Sequence, residues 1–494
     1  MASSKRTLSA AALLVSATLV LAACSGGEGG SGDGTIELRI AVGGAADNHE
    51  TEPESPIAIG LSEEIGATVL HEPTPEDLSA SLAAGDSPDL FRVDRNQLQT
   101  YVDQGLVLDL TPYEDQLGDY VSYVGQETAD LGWMDGELAA ITPYVNNTND
   151  HTFWIRQDWL DNLDLEAPTT VEEFREVLRA FTEDDPDGNG QNDTYGLTGA
   201  SVASFAPLWG AFGTPGPGRL YVGDDGQAHA SYEDEGMVDA IEYINDIQEA
   251  GFVDPDIYTL EGLDARDRGF QGLAGVMAQS WTGVKKEQAA ELAVASNPDA
   301  EWVQLDLFTQ EDGSPSSIAV GTDAAVMYAL PATLAGQDEK IQKLIDLINY
   351  VSTPEGNEFV MFGVEGTHYE RGADDEIVPL PAMAEEGGTF FIYQVSGREE
   401  VPYLTAKFPD QQPYWERAHA QEVLVTWEDF IVSPEGYNRA DADRFAEDQM
   451  IQFLTGQQPV SGYEAFVEKL NDDFGYALFV EAAAEQLDEV GVTG

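Results

Sequence analysis

Cysteine and basic side chains are scarce in this sequence. Cys24 is the single cysteine among 494 residues, so the chain cannot form an internal disulfide. Lysine and arginine number 22 against 91 acidic residues, which gives a formal net charge of −69. Because contacts to nucleic-acid phosphates need a basic surface, general nucleic-acid binding is excluded. We interpret the excess of carboxylates as a solvated acidic surface of the kind that suits high salt.

Motifs of common catalytic sites are also missing. The sequence has no Gly-x-Ser-x-Gly elbow, no His-Glu-x-x-His pair and no phosphate-binding loop. Cysteine catalysis is excluded, because Cys24 lies at the end of the N-terminal apolar run. A secreted glycoside hydrolase remains the enzymatic alternative, since it needs only two suitably placed carboxylates. We predict a protein that is not an enzyme.

The N-terminal residues have the composition of an export signal. Lys5 and Arg6 precede an apolar run over 8–23 that is too short to span a bilayer comfortably, so 1–23 is predicted to be a removable signal peptide. The run ends in Leu-Ala-Ala-Cys, which resembles the lipobox of bacterial lipoproteins and predicts lipidation of Cys24. The alternative is an ordinary cysteine in a cleaved leader. Residues 24–34, which contain the glycine-rich stretch SGGEGGSGDG, are predicted to be a flexible tether.

The remaining length predicts more than one core. The part of the chain from Thr35 to residue 494 is longer than the ~250 to 300 residues at which a single core stops growing. Residues 35–42 alternate apolar and other side chains, as a strand does. An apolar run at 88–94, a helical stretch and a second run at 106–110 predict a βαβ unit. Strands mixed with helices over this length indicate an α/β protein with two lobes.

Several helices are indicated by capping residues and by periodicity. Thr170 and Glu173 have the spacing of a capping box, and so do Ser461 and Glu464. Apolar side chains follow the first pair at helical intervals: Val171, Phe174, Val177, Leu178 and Phe181. We therefore predict a helix that begins after each capping pair.

Five stretches of the chain resemble the extracellular solute-binding proteins of bacterial ABC sugar importers, especially the large lipoprotein branch that includes alginate-oligosaccharide binders. They occur in the order found in that family, and with the lipobox they extend along most of the chain. The stretches are 87–110 (SPDLFRVDRNQLQTYVDQGLVLDL), 154–174 (WIRQDWLDNLDL followed by PTTVEEF), 270–281 (FQGLAGVMAQSW), 352–369 (STPEGNEFVMFGVEGTHY) and 455–470 (TGQQPVSGYEAFVEKL).

The resemblance implies an α/β, two-lobe periplasmic-binding-protein-like fold (type II) with a ligand cleft between the lobes. The expected N-terminal lobe is 35–145 plus about 266–325, and the expected C-terminal lobe is 146–265 plus about 326–494. The resemblance also implies an oligosaccharide ligand, an ABC permease as partner, and a monomer held on the outer face of the membrane by its lipid. A solute of another kind, such as a peptide, polyamine or metal chelate, is the alternative ligand.

Candidate ligand-binding residues follow from strand ends, aromatic side chains and the resemblance. Asp94 and Arg95 come where a strand ends, although Asp94 could instead cap a helix or pair on the surface. Trp281 matches a tryptophan that the family uses as a stacking platform for a sugar ring, and burial in a core is the alternative. The other candidates lie in an expected crossing between the lobes and in a Pro/Gly-rich stretch: Tyr144, Asn146, Asn147 and Trp209.

One acidic loop has the spacing of a calcium site. Its oxygen donors stand at loop positions 1, 3, 5, 7 and 9: Asp185, Asp187, Asn189, the carbonyl of Gln191, and Asp193. Gly190 stands at position 6, but Gly196 replaces the glutamate expected at position 12. Related sugar-binding lipoproteins carry a similar loop, which implies a structural Ca²⁺. The alternative is a metal-free Asp/Asn/Gly turn.

Overall fold

The computed structural model describes residues 35–44, 54–386 and 392–493. The predicted signal peptide 1–23, the lipidation site Cys24 and the tether 24–34 lie outside these residues. Within the described ranges, no helix combines the length and the apolar composition needed to cross a bilayer.

Strands in the described residues form three sheets of four strands and two short hairpins. The strands are β1 (Glu37–Ala41), β2 (Thr68–His71), β3 (Leu90–Asp94), β4 (Trp133–Met134), β5 (Glu137–Leu138), β6 (His151–Arg156), β7 (Tyr195–Thr198), β8 (Leu220–Val222), β9 (Ala228–Ala230), β10 (Ala274–Ser280), β11 (Trp302–Gln304), β12 (Ile318–Gly321), β13 (Val326–Ala329), β14 (Tyr369–Arg371), β15 (Ile377–Pro379) and β16 (Val423–Thr426).

Helices connect and cover these sheets. They are α1 (Pro56–Ile65), α2 (Leu78–Ala84), α3 (Arg95–Asp103), α4 (Gly118–Val124), α5 (Gln126–Asp130), α6 (Gln157–Asn162), α7 (Val171–Glu183), α8 (Ala206–Trp209), α9 (Gly236–Glu249), α10 (Asp264–Phe270), α11 (Trp281–Lys285), α12 (Glu287–Ser296), α13 (Asp338–Ser352), α14 (Pro354–Phe362), α15 (Pro381–Glu386), α16 (Glu400–Lys407), α17 (Gln412–His419), α18 (Arg439–Leu454), α19 (Tyr463–Phe474) and α20 (Tyr476–Glu489).

The first sheet, in the order β13-β3-β1-β2, forms the centre of the first lobe. Its strand β1 lies within the predicted strand 35–42 and pairs parallel with β2 and β3. Leu38 and Ile40 alternate with more exposed residues and are fully buried, together with Ile341 and Leu344 of α13. The predicted βαβ unit is wrong in its second strand. Val107 makes only an isolated bridge to Pro331, and antiparallel β13 takes the place beside β3.

Two sheets, in the orders β11-β6-β10-β7 and β12-β16-β8-β9, form the second lobe. This pairing corrects the predicted lobe boundaries for two segments. Strand β10 belongs to the segment 266–325 that we assigned to the first lobe, but it pairs with β6 and β7 of the second. Strand β13 belongs to the segment assigned to the second lobe, but it pairs with β3 of the first. Backbone pairing between distant segments, rather than local periodicity, decides the sheet.

The two predicted capping pairs have different outcomes. The Thr170 side chain accepts a hydrogen bond from the Glu173 backbone N–H at 3.2 Å, and the five predicted apolar residues of α7 are buried. At Ser461 and Glu464 a helix follows, but it begins at Tyr463 with Gly462 before it and has no side-chain cap. The existence of α19 is confirmed, and its predicted cap is wrong.

Candidate ligand-binding site

Loops at the carboxyl ends of β1 and β3 surround a cavity of about 500 Å³, which we call the strand-end cavity. Gly43 and Gly44 follow β1, while Arg92 and Asp94 are the exposed side chains at the end of β3. A side chain at Gly43 would place its Cβ 2.9 Å from Cδ of Arg92, so glycine lets the arginine cross this loop. Ligands of open α/β sheets bind beyond such strand ends.

A second cavity of about 540 Å³ shares Gly44 and Arg92 with the first, and we call the two together the cleft. Most of its lining comes from three segments that cross between the lobes, at 142–150, 322–326 and 394–400, and Tyr328 and Tyr393 lie beside them. The lining combines aromatic rings with polar and charged groups: Tyr144, Tyr328, Tyr393, Asn146, Thr148, Gln394, Asp150, Asp323, Arg398 and Glu400.

Hydrogen bonds hold the crossing segments together. The backbone N–H groups of Asn146 and Asn147 donate to Oδ2 of Asp323, at 3.2 and 3.1 Å. The Asn147 side chain accepts from the Asp323 N–H at 2.9 Å, and the Asn146 amide donates to the carbonyl of Arg398 at 2.9 Å. Asn146 therefore lines the cleft, as Tyr144 does. Asn147 does not line it and instead fixes the segment that carries both.

The two arginines of the cleft differ in their surroundings. Arg398 forms a two-point ion pair with Glu400, at 2.9 and 3.1 Å, and its guanidinium lies 3.6 Å from the ring centre of Tyr403. Arg92 makes no hydrogen bond or ion pair with another described residue, and it lines both cavities. Arg92 is thus a cation that a ligand can reach.

One carboxylate oxygen of Asp150 is held by two neighbouring side chains, and the other is not. Its Oδ1 accepts the indole N–H of Trp281 at 2.9 Å and lies 3.1 Å from Nε2 of His419. Oδ2 has no hydrogen bond to a described residue, and the side chain is 43% exposed. Burial alone would raise the pKa of Asp150, but the hydrogen bonds from His419 and Trp281 leave the pKa lowered. The group stays ionised near neutral pH.

Trp281 does not offer the stacking surface that we predicted. The residue is 2% exposed and packs edge-on against Phe408, with ring centres 5.3 Å apart. Its neighbours in this aromatic cluster include Trp154 and Trp415. Because neither ring face reaches the cleft, the indole acts only through its N–H on Asp150. Burial, the alternative that sequence left open, is what the structure shows.

Asp94 and Arg95 point to different places. Asp94 is exposed in the strand-end cavity, and it also caps α3 by accepting the Gln97 N–H at 2.8 Å. Arg95 is 7% exposed, donates to the carbonyl of Leu131 at 2.7 Å and lies over the ring of Phe430. Burial lowers the pKa of Arg95 to about 10. The predicted pair is therefore wrong for Arg95, which lies outside the cleft.

Arg92 is one of the cleft residues that sequence reasoning missed, as are Asp150 and Asp323. The signal for Arg92 was present, because side chains two positions apart on a strand share a face, and Arg92 stands two residues before Asp94. Tyr393 and the 394–400 segment gave no such signal, because they reach the cleft through a chain crossing that no local pattern reveals. Tyr328 lies on β13 and reaches the cleft through the pairing of β13 with β3.

Trp209 lines a separate cavity of about 350 Å³ in the second lobe. It is 2% exposed, and a side chain at Gly216 would place its Cβ 2.7 Å from Cδ1 of the indole. This cavity also contains Arg219 and the buried Glu428, which form an ion pair at 2.6 Å. It shares no lining residue with the cleft. The structure does not bring Trp209 together with Tyr144.

The predicted calcium loop is an exposed turn that follows α7. The Asp185 carboxylate accepts the backbone N–H groups of Asn189 and Gly190, at 3.0 and 2.9 Å. The Asn189 amide donates to Asp187 at 2.9 Å and to Asp193 at 3.1 Å, so these carboxylates converge on one point. Gln191 donates its backbone N–H to Oδ1 of Asn189. The oxygen donors suit calcium in kind. In the described part of the chain, however, no three acidic, histidine or cysteine side chains are grouped to hold a metal.

The fold and the cleft define a two-lobe solute-binding protein. The family model described as "Bacterial extracellular solute-binding protein" matches residues 72–358, and the chain belongs to that family. The polygalacturonan/rhamnogalacturonan-binding protein YtcQ of Bacillus subtilis is 24% identical, over 94% of this chain and 95% of YtcQ.

Two solved structures have the same fold as this chain. One is an HMO-binding, ABC-transporter-associated solute-binding protein from Bifidobacterium longum infantis. Its TM-score is 0.69 at 16% identity, covering 94% of this chain and 100% of that one. The other is an EF-hand mutant of FusA from Streptococcus pneumoniae in complex with fructo-nystose. Its TM-score is 0.67 at 16% identity, covering 92% of this chain and 99% of that one.

Proposed function

We propose that the chain captures an oligosaccharide outside the cytoplasm and, as a monomer, delivers it to the permease subunits of an ABC importer. The observation that carries this proposal is the cleft, where tyrosine rings stand beside charged groups at segments that cross between the lobes. Aromatic faces cover the apolar C–H surface of a sugar, and the charged groups bond its hydroxyls. The saccharides bound by the family's YtcQ and FusA support the same class of ligand.

Tyr144→Ala tests the cleft as the sugar site. We expect oligosaccharide affinity to fall at least ~10-fold, or about 1.4 kcal/mol, because the ring that covers the sugar is lost. Isothermal titration against a panel of oligosaccharides measures the change, and chromatography of the same mixtures is expected to show no hydrolysis products. Tyr113→Ala removes a half-buried tyrosine that lies outside the cleft and is expected to leave affinity unchanged. Equal affinities for the wild type and Tyr144→Ala would contradict the assignment.

We propose a structural Ca²⁺ at the 185–193 loop. The proposal is supported by the convergence of Asp187 and Asp193 on Asn189 and by the EF-hand named for FusA. The carboxylates of the loop would hold the ion, which would tie the end of α7 to β7 and take no part in sugar binding.

Asp187→Ala tests the calcium site and is measured in the same sugar titration as Tyr144→Ala. It is expected to abolish thermal stabilisation by calcium and to keep sugar affinity, the reverse of Tyr144→Ala. Loss of both responses from either variant would contradict separate sites.

We also propose that Cys24 carries lipid in the mature protein. The apolar run at 8–23 and the sequence Leu-Ala-Ala-Cys support this. Anchoring by two or more acyl chains is stable because each buried CH₂ contributes about 0.8 kcal/mol. After expression in a bacterial host, the wild type is expected to partition into the detergent phase and Cys24→Ser into the aqueous phase. Detergent partitioning of Cys24→Ser at the wild-type level would exclude the anchor.

A further inference from the structure

The charges that line the cleft are unequal. The described residues contribute two cations, Arg92 and Arg398, and six carboxylates: Glu76, Asp77, Asp94, Asp150, Asp323 and Glu400. Arg398 is neutralised by its two-point pairing with Glu400. Arg92 is therefore the one unpaired cation facing five carboxylates among these residues.

Four of these carboxylates use one oxygen in hydrogen bonds and leave the other without one among the described residues, and they differ in which groups fix the bonded oxygen. Asp77 and Asp94 each cap a helix through Oδ1, accepting the N–H of Ala80 and of Gln97. Asp323 is bound through Oδ2 to the backbone of the neighbouring crossing segment. Asp150 is fixed at Oδ1 by two side chains from other elements, while its Oδ2 remains open. A fixed carboxylate oxygen with free lone pairs is an acceptor for sugar hydroxyls and repels a second carboxylate.

We propose that the ligand is a neutral oligosaccharide, and that Asp150 is the residue that selects against its acidic counterparts by accepting hydroxyl hydrogen bonds at Oδ2. This inference rests on the proposed function and specifies its substrate class. Within it, Trp281 is a positioning residue, because it acts on the ligand only by directing Asp150. A neutral oligosaccharide differs from the polygalacturonan named for YtcQ. YtcQ is only 24% identical to this chain, and such an identity does not fix a shared ligand.

The long-range field of the protein acts in the same direction as Asp150 and has to be separated from it. A net charge of −69 disfavours any polyanion, but the effect of distant charges is screened beyond about 8 Å at physiological salt. A contribution from Asp150 itself is local and persists when salt is raised. The experiment therefore compares ligands and variants at low and at high salt.

The test uses one saccharide in two charge states. The neutral oligosaccharide that binds best in the panel is compared with the same molecule after oxidation of its primary alcohols to carboxylates. We expect the wild type to prefer the neutral form by at least ~10-fold, at both salt concentrations. Asp150→Asn, which keeps the shape of the side chain, is expected to narrow that preference at least ~3-fold by restoring affinity for the acidic form.

Two further variants test whether the effect depends on the position of the carboxylate and whether Trp281 acts through Asp150. Asp115→Asn removes one exposed carboxylate outside the cleft and is expected to leave the preference unchanged. Trp281→Phe removes the indole N–H and keeps an aromatic ring, and it is expected to weaken neutral-ligand binding ~3-fold. In an Asp150→Ala background the same change is expected to have no effect, since Trp281 acts through Asp150. Thermal unfolding of each variant establishes that it is folded.

The outcomes distinguish this inference from the proposed function. Equal or tighter binding of the acidic form by the wild type overturns the substrate class while the cleft remains a sugar site. An unchanged preference in Asp150→Asn overturns the role of Asp150. If no oligosaccharide in a panel of neutral and acidic members binds the wild type, the proposed function itself is overturned, and this inference with it.

Discussion

Arg268→Ala is expected to lower the free energy of unfolding by about 3–5 kcal/mol, because it leaves a buried carboxylate without its counter-ion. The side chain of Asp254 is 1% exposed, and both of its oxygens bind Nη1 of Arg268, at 2.9 and 2.8 Å. Thr198 at the end of β7 and the backbone N–H of Asp256 also donate to this carboxylate. Those neutral donors remain in the variant, but they do not balance the charge. Urea denaturation measures the loss.

An exposed ion pair supplies the matched control for Arg268. Arg417 binds Asp306 at 2.8 and 3.0 Å, and these side chains are 45% and 71% exposed. Exposed pairs contribute about 0–1 kcal/mol, so Arg417→Ala is expected to change stability by no more than that. Both variants remove an arginine that bonds both oxygens of an aspartate, Arg268 through Nη1 and Arg417 through Nε and Nη2. Similar losses of stability in both would show that burial of Asp254 is not what makes the first pair important.

Local sequence signals were enough to predict a strand or helix whose buried side chains repeat at regular intervals within the element. Alternation predicted β1, and the Thr170 spacing with its apolar periodicity predicted α7 together with its buried face. Both signals arise within a dozen neighbouring residues, because side-chain direction repeats every two residues in a strand and every 3.6 in a helix. Chain length with mixed strands and helices predicted two lobes, and the family resemblance then supplied the periplasmic-binding-protein-like fold with a ligand cleft between them.

Sheet membership and the composition of the cleft depend on contacts across the chain. Strand β10 joined the second lobe through pairing with β6 and β7, which its own sequence does not specify. The crossing segments meet through hydrogen bonds between residues 177 and 252 positions apart, those of Asn146 with Asp323 and with Arg398. Local sequence does not distinguish a buried tryptophan from one that stacks on a ligand. Trp281 was therefore assigned to the wrong environment.

Gly397→Ala adds one methyl group at the point where two crossing segments meet, and it is expected to disrupt the cleft. Gly397 has φ of 75°, and a Cβ there would lie 2.6 Å from the backbone nitrogen of Tyr144 and 3.0 Å from its oxygen. That nitrogen donates to the carbonyl of Ser396 at 2.9 Å, so the two crossing segments would have to separate. A left-handed non-glycine residue costs about 1–2 kcal/mol, and overpacking adds about 1–3 kcal/mol. We expect a total loss of about 2–5 kcal/mol in urea denaturation and at least ~10-fold weaker oligosaccharide binding, since Tyr144 moves.

Gly366→Ala isolates the contact from the backbone conformation. Gly366 has a similar φ of 79°, but a Cβ there would meet no atom within 4 Å. Its substitution therefore carries only the conformational cost of about 1–2 kcal/mol and is expected to leave sugar affinity unchanged. The difference between the two variants measures how closely the 394–400 segment must approach Tyr144. If Gly397→Ala bound sugar as tightly as Gly366→Ala, the spacing of the crossing segments would not control the site, and the ligand would have to lie elsewhere.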